Sequence, residues 1–152
     1  EELELVDKYI KINEFSYENN FKVITDIDEA VLECYTIKLI LQPVVENAIL
    51  HGLVEKEDGV IKITIKMHEN SIIFIVEDNG YGMNEEDIKK ALNFTPGPKR
   101  KGGYGIKNTI RRVKTYYGEE CGLDIKSELG KGTIVTINIL NINQSTLKER
   151  FY

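Results

Sequence analysis

The sequence has few of the features that mark secreted, membrane-spanning or nucleic-acid-binding chains. Its two cysteines, Cys34 and Cys121, form no pair with metal-ligand spacing, which favours free thiols in a reducing compartment. No apolar run in these residues approaches the roughly 20 residues of a membrane-spanning helix, and no signal peptide is visible among them. The net charge of −5 argues against nucleic acid as the main partner, because phosphate binding favours a basic surface.

The chain is long enough, at 152 residues, for one domain with a real core. It begins without methionine inside a helical pattern, so we expect a piece of a longer protein whose membrane or targeting segments lie outside it. Residues 1–14 then represent the end of an upstream helical region. We expect the domain to extend over 1–140, followed by a polar C-terminal tail over 141–152, perhaps with a helical turn.

Hydrophobic periodicity predicts both the elements and the layers of the fold. The predicted helices cover 1–13, 36–53, 84–92 and 106–117, and the strands cover 21–27, 60–67, 72–76, 123–127 and 133–140. Pro43 lies inside the second helical pattern, so that helix either begins just before Pro43 or bends there. Short turns between neighbouring strands imply antiparallel pairing. We expect an α/β fold: a two-layer α/β sandwich with a mixed, mostly antiparallel sheet covered on one face by helices.

The stretch V-E-D-N-G-Y-G-M ends the most apolar strand with a carboxylate and a glycine-broken turn. Asp78 is in phase with Ile72, Phe74 and Val76, so its side chain points into the layer that they fill. A charge there is costly unless a partner donates a hydrogen bond to it. The pattern fits a buried acid that binds a flat ligand, but for this stretch taken alone an Asn-Gly turn at a strand end is the favoured interpretation.

A second candidate segment is the helical L-Q-P-V-V-E-N-A-I-L-H-G, in which Asn47 and His51 share a face. The Asn47 carbonyl is an oxygen ligand suited to Mg²⁺, and Glu46 could hold a water molecule or act as a base. A helix whose polar edge carries Glu, Asn and His for structural reasons is the alternative.

The third segment, G-G-Y-G-I-K-N from Gly102, leads directly into a helix. Glycines before a helix N-terminus allow backbone N–H groups to converge on an anion. The segment is neither the G-x-G-x-x-G dinucleotide pattern nor a P-loop, and by itself it could be a flexible loop.

Taken together and in this order, the three segments resemble the GHKL (Bergerat-fold) ATPase superfamily. A fourth, G-K-G-T-I-V around Thr133, resembles the strand start that closes the pocket in that family. The wording L-Q-P-V-V-E-N-A-I-L-H-G is especially similar to the LytS-like branch of sensor histidine kinases. The resemblance covers about residues 1–140 and implies a domain that binds ATP with Mg²⁺.

The resemblance implies a role for each matching position. Asp78 would accept a hydrogen bond from the adenine amino group, and Thr133 would support that end of the site through Asp78 or water. Asn47 would hold Mg²⁺, with Glu46 as the neighbouring acid and His51 beside the phosphates. The wall beside the base would consist of Gly80, Gly82 and Met83. The backbone donors to the phosphates would be Gly103, Tyr104, Gly105 and Ile106, and residues 93–101 would form the ATP lid.

The sequence also departs from the family pattern. Leu50 stands before His51, where the family often has a basic residue, and neither His51 nor His68 lies in a phosphoacceptor context. We therefore expect the catalytic half of a kinase whose acceptor histidine lies upstream. The implied partners are ATP, the upstream dimerisation region of a homodimer and a response regulator, with no nucleic acid, in the cytoplasmic part of a membrane-bound sensor. The alternatives are another GHKL ATPase, an anti-sigma-factor serine kinase, or a nucleotide-binding module without catalysis.

Overall fold

The computed structural model describes residues 1–16, 21–53, 56–92 and 104–149. The strands are β1 (Phe21–Ile27), β2 (Gly59–His68), β3 (Ser71–Asp78), β4 (Gly122–Glu128) and β5 (Gly132–Leu140). The α-helices are α1 (Glu2–Ser16), α2 (Gln42–Asn47), α3 (Glu85–Leu92), α4 (Tyr104–Tyr117) and α5 (Gln144–Glu149). A 3₁₀ turn lies at Glu29–Val31, and one turn of π-helix, Ala48–Gly52, continues α2.

The sheet has five strands in the order β1-β2-β3-β5-β4. β1 runs parallel to β2, and the other three neighbouring pairs are antiparallel. The parallel pair follows from the connection, because the chain passes through α2 between β1 and β2 instead of turning back directly. The mixed, mostly antiparallel sheet predicted from the sequence is confirmed.

One face of the sheet carries most of the core. Alternate residues of the three central strands are nearly inaccessible: Ile61, Ile63 and Ile65 on β2, Ile72, Phe74 and Val76 on β3, and Val135, Ile137 and Ile139 on β5. Helical residues cover this face, among them Val44, Val45, Val113 and Tyr117. The opposite face carries Lys62, Glu77, Lys126 and Asn138, so the two-layer arrangement is also confirmed.

Two local features differ from the sequence expectations or refine them. The helix expected from Thr36 begins only at Gln42, just before Pro43, because the preceding residues form turns with Leu39 at φ 58°. After residue 140 the chain forms α5, whose Leu147 is buried against the core. The proposed division of the chain at residue 140 stays a prediction. None of the helices in the described ranges has both the length and the apolar character that a bilayer crossing requires.

Candidate functional site

Asp78 is the last residue of β3, and its side chain points to the helix-covered face as its phase predicts. It lies opposite Ile61 on β2 and Thr133 on β5. The carboxylate accepts hydrogen bonds from the Gly80 N–H, at 2.8 Å, and from the Thr133 backbone. Burial raises the pKa of Asp78 above its ordinary value, and these two bonds partly offset that effect. Because a carboxylate has about four acceptor positions, it has capacity for a further donor.

Glycines surround Asp78 at the positions where a side chain would obstruct it. A Cβ on Gly52 would lie 2.8 Å from Asp78 Oδ1. A Cβ on Gly80 would overlap the Gly52 carbonyl, and one on Gly132, at φ 113°, would overlap the Asp78 carbonyl. Gly82, at φ 69°, similarly abuts the carbonyl of Glu128. The backbones of the π turn, the turn after β3 and the start of β5 therefore meet around one half-buried acid, and the turn at Gly82 packs against the end of β4.

The Thr133 hydroxyl lies on the core-facing side of the sheet, as predicted, but its observed partner is Ser127. The two hydroxyl oxygens are 2.8 Å apart, and Ser127 Oγ also accepts from the Met83 N–H at 2.7 Å. Ser127 donates to the Gly132 carbonyl as well. This network joins β4, β5 and the turn after β3. It connects Met83 with Thr133, two positions that the family resemblance had named separately.

The segment formed by α2 and the π turn carries Glu46, Asn47 and His51. Asn47 Nδ2 is fully buried and has no hydrogen-bond partner within the described part of the chain. Glu46 Oε1 accepts from Gln42 Nε2 at 2.9 Å, which leaves the other oxygen for a further contact. His51 is exposed, and Leu50 is 42% exposed in the position where a basic residue was expected. No hydrogen bond from Nδ2 to the described residues therefore holds the Asn47 side chain in place.

The N-terminus of α4 lies directly against the first turn of α2. A Cβ on Gly105 would be 3.1 Å from Pro43 Cβ, so the absence of a side chain allows this close approach. Ile106 is buried and fixes the turn to the core. The chain therefore brings two of the predicted phosphate-binding backbone positions to the helix that carries Asn47. Gly103 and the predicted lid over 93–101 lie outside the described residues, and Tyr104 is described only as the first residue of α4.

Sequence reasoning missed two supporting residues. The Asn79 side chain accepts from the Val60 N–H at 2.8 Å and donates to the Asp58 carbonyl at 3.1 Å, fixing the turn beside Asp78 to the start of β2. The D-N-G motif contained this signal, since Asn commonly binds nearby backbone in turns. Ser127 had no comparable local signal, because its role depends on the β4–β5 register.

The chain is a two-layer α/β domain with a half-buried acid, Asp78, at the end of a central strand and a buried amide group, Asn47 Nδ2, on the helical segment that precedes β2. Residues 35–143 match the family described as histidine kinase-, DNA gyrase B-, and HSP90-like ATPase. Because this match extends over well more than half of the chain, the chain belongs to that family.

Relatives with assigned names are sensor histidine kinases. The chain is 37% identical over 140 residues to sensor histidine kinase YesM of Bacillus subtilis, covering 91% of this chain and 23% of that protein. It is 37% identical over 142 residues to sensor histidine kinase YpdA of Escherichia coli, covering 92% and 24%. Sensor protein LytS of B. subtilis is 28% identical over 141 residues, covering 91% and 23%. The chain therefore spans about a quarter of the length of these relatives.

Solved structures with the same fold include histidine kinase catalytic domains. The catalytic domain of histidine kinase ThkA superposes with a TM-score of 0.67 at 21% identity, covering 91% of both chains. The histidine kinase domain of the blue-light-activated kinase EL346 from Erythrobacter litoralis gives a TM-score of 0.61 at 23% identity, covering 90% of this chain and 59% of that one. At these identities the likeness establishes the fold.

Proposed function

We propose that this chain is the ATP-binding catalytic domain of a two-component sensor histidine kinase, which transfers the γ-phosphoryl group of ATP to a histidine outside the chain. The observation that carries the proposal is Asp78, a half-buried carboxylate with spare acceptor capacity between close-packed glycine backbones. Adenine offers a flat ring with an exocyclic amino donor, which matches both the shape and the polarity of this position. The family match and the names of the relatives support the same assignment.

Each predicted position has a role in this proposal. Asp78 accepts from the adenine amino group, and Thr133 supports that carboxylate from β5. The turn after β3, with Gly80, Gly82 and Met83, forms the wall beside the base. Backbone N–H groups of residues 103–106 bind the phosphates at the start of α4, where the helix dipole favours negative charge.

Asn47 is the proposed Mg²⁺ ligand. Its buried Nδ2 has no hydrogen-bond partner within the described residues, which suits a side chain whose polar group serves a ligand. The described ranges contain no cluster of three or more His, Cys, Asp or Glu side chains that could bind a metal without the nucleotide. A single amide ligand beside the phosphates suits Mg²⁺, because this ion keeps several waters and needs only one or two protein ligands when it bridges phosphates. Bound there, the ion would neutralise charge on the phosphates.

The remaining contribution of the chain to phosphoryl transfer is positioning. Phosphoryl transfer requires in-line geometry and charge stabilisation more than covalent participation by the protein. Glu46 has one oxygen free of Gln42 and would orient a water molecule or the acceptor imidazole. His51 would contact the phosphates from the exposed end of the π turn, and Leu50 supplies no charge, so lid cations of residues 99–101 would complete the neutralisation.

The partners follow from the same proposal. The acceptor histidine lies on an upstream dimerisation region, so the complete protein is a homodimer that passes its phosphoryl group to a response regulator. This domain would lie on the cytoplasmic side of the membrane, linked to a sensor through segments outside the chain.

Incubation with γ-labelled ATP and Mg²⁺ tests the proposal, with the chain alone and with a separate fragment that carries the upstream histidine. We expect the chain to bind ATP without labelling itself, because nothing positions His51 or His68 in line with a γ-phosphate. Label should appear on the added fragment, stable to alkali and labile to acid. Alkali-stable, acid-labile label on the chain alone would show that the acceptor lies within it. ATP binding with no transfer to the fragment would instead favour a non-catalytic nucleotide-binding module.

A further inference from the structure

The lead-in segment, Thr36–Leu41, connects to the N-terminus of α2 in a strained conformation. Leu39 has φ 58°, a region that non-glycine residues seldom occupy. Both of its backbone polar groups are bound by side chains: its N–H donates to Glu2 Oε2 at 2.7 Å, and its carbonyl accepts from Arg112 at 3.1 Å. Such a conformation persists only where the surroundings determine it, so the lead-in segment is held by contacts from outside.

Glu2, the first residue of α1, supplies the largest group of these contacts. Its side chain is only 8% exposed and lies one and two turns before the buried Val6 and Ile10. Besides Leu39, the Glu2 carboxylate accepts from the N–H groups of Ile40 and Leu41, each at 2.9 Å. Burial of a carboxylate is tolerated here because three donors converge on it. Among these donors, the Leu41 N–H belongs to the N-cap residue of α2 and has no helical partner.

Helix α4 holds the lead-in segment from the other side. Arg112 donates to the carbonyls of Lys38, at 2.5 Å, and Leu39. Tyr117 accepts from the Ile37 N–H at 3.1 Å. Gly105 at the start of α4 also packs on Pro43 in the first turn of α2. Helix α4 therefore contacts α2 through its first turn and the lead-in segment through its last turns. The position where α1 binds is therefore the position where the two nucleotide-facing helices are fixed to each other.

We propose that Glu2 is a positioning residue of the ATP site, through which α1 controls the metal and phosphate half of that site. This inference rests on the proposed function. A displacement of residues 39–41 moves the first turn of α2, which leads to Asn47 and contacts Gly105. Asp78 takes its two hydrogen bonds from Gly80 and from β5 and meets the α2 segment at Gly52, the end of the π turn farthest from the lead-in segment, so the adenine half of the site depends less on α1. Motion of α1 would thus change the binding of Mg²⁺ and phosphates while adenine binding persists.

The test compares Glu2→Gln and Glu2→Ala with Glu4→Gln, a control on the same helix whose side chain is 75% exposed. Each variant is titrated with adenosine, with a non-hydrolysable ATP analogue, and with that analogue plus Mg²⁺. Glu2→Gln keeps the shape and one acceptor oxygen, and it therefore provides a folded variant if Glu2→Ala unfolds. We expect Glu2→Ala to lose on the order of tenfold in affinity for the Mg²⁺ complex, the factor that leaving buried donors unpaired implies. Glu2→Gln should lose less.

The outcomes distinguish a positioning role from a structural one. Unchanged adenosine affinity with weakened Mg²⁺-analogue binding, and a control that matches the wild type, would support the proposal. Equal losses for adenosine and the Mg²⁺ complex would overturn it, because they would indicate general loosening of the domain. Wild-type affinity of Glu2→Gln in all three titrations would also overturn it while leaving the proposed function intact. Failure of the wild type to bind ATP would instead reject the proposed function and this inference with it.

Discussion

Replacing Asp78 by Asn should weaken ATP binding without unfolding the domain. The Asp78 carboxylate accepts from Gly80 and Thr133 and, in the proposed complex, from the adenine amino group. Asparagine keeps the shape but replaces one acceptor oxygen with a donor and removes the charge. A hydrogen bond to a charged group contributes roughly 1.5–3 kcal/mol, which corresponds to about 10- to 150-fold in the dissociation constant.

Calorimetric titration with ATP and GTP, in wild type and Asp78→Asn, measures this effect. Guanine presents a carbonyl oxygen where adenine presents its amino group, so the wild type should prefer ATP and the variant should lose much of that preference. The matched control is Glu77→Gln, since Glu77 precedes Asp78 on β3 but faces the other side of the sheet, 3.8 Å from Lys62. ATP affinity within about twofold of wild type in a folded Asp78→Asn protein would remove Asp78 from the site; that factor lies well below the one expected from the lost bond.

The raised pKa of Asp78 adds a pH dependence with opposite signs for stability and for binding. Because the folded-state pKa lies above the unfolded value, ionisation costs folding free energy, and the stability of the nucleotide-free chain falls as pH rises through that pKa. Adenine binding is strongest with the ionised acceptor, so ATP affinity should rise over the same interval. Thermal melts and titrations across the acidic range should show both effects as the difference between wild type and Asp78→Asn, which lacks this titrating carboxyl group.

Three further predictions concern the surroundings of the site. Asn47→Ala should lose most of the Mg²⁺ dependence of ATP binding and keep its adenosine affinity, whereas the control Asn138→Ala, on the exposed sheet face, should match wild type. Unchanged Mg²⁺ dependence in Asn47→Ala would exclude Asn47 as the ligand. Gly52→Ala places a Cβ 2.8 Å from the buried carboxylate and should lower ATP affinity, whereas Gly122→Ala, with nothing within 4 Å, should not; equal titrations would contradict the packing argument. Tyr117→Phe leaves a buried backbone N–H unpaired and should cost about 1–3 kcal/mol of unfolding free energy in urea, and a change near zero would show that another group replaces the hydroxyl.

The sequence predicted features that repeat along the chain better than features that depend on long-range contacts. Alternation placed Asp78 on the core-facing side of β3. An Asn directly before a helical pattern is likewise a local signal, and the Asn84 side chain caps α3 by accepting from the Asp87 N–H at 2.9 Å. The start of α2 was predicted six residues too early in one of two alternatives, because Ile37, Ile40 and Leu41 are buried at helical spacing without forming a helix.

The contacts of Glu2 show why the remainder of the site could not be predicted from the sequence. Its phase with Val6 and Ile10 marked it as a charge on a buried helix face, which was a usable signal. Its partners, however, lie 37 to 39 positions away in the sequence, in a segment whose conformation depends on α4. No local pattern encodes such a contact, since it exists only once three helices have packed together.

The fixed side chain of Asn79 also bears on the chemical lifetime of the protein. Asn followed by Gly is the dipeptide in which the backbone nitrogen most readily attacks the side-chain amide, converting Asn to a mixture of Asp and isoaspartate. Here the Gly80 N–H donates to Asp78, and the Asn79 side-chain amide binds the Val60 N–H and the Asp58 carbonyl at the start of β2. The folded state therefore protects its own turn from deamidation. An unfolded chain deamidates at this dipeptide, and a deamidated chain carries a second negative charge next to Asp78 and no longer has the donor that binds the Asp58 carbonyl. Peptide mass spectrometry after storage in buffer and in urea should find the conversion concentrated in the urea sample.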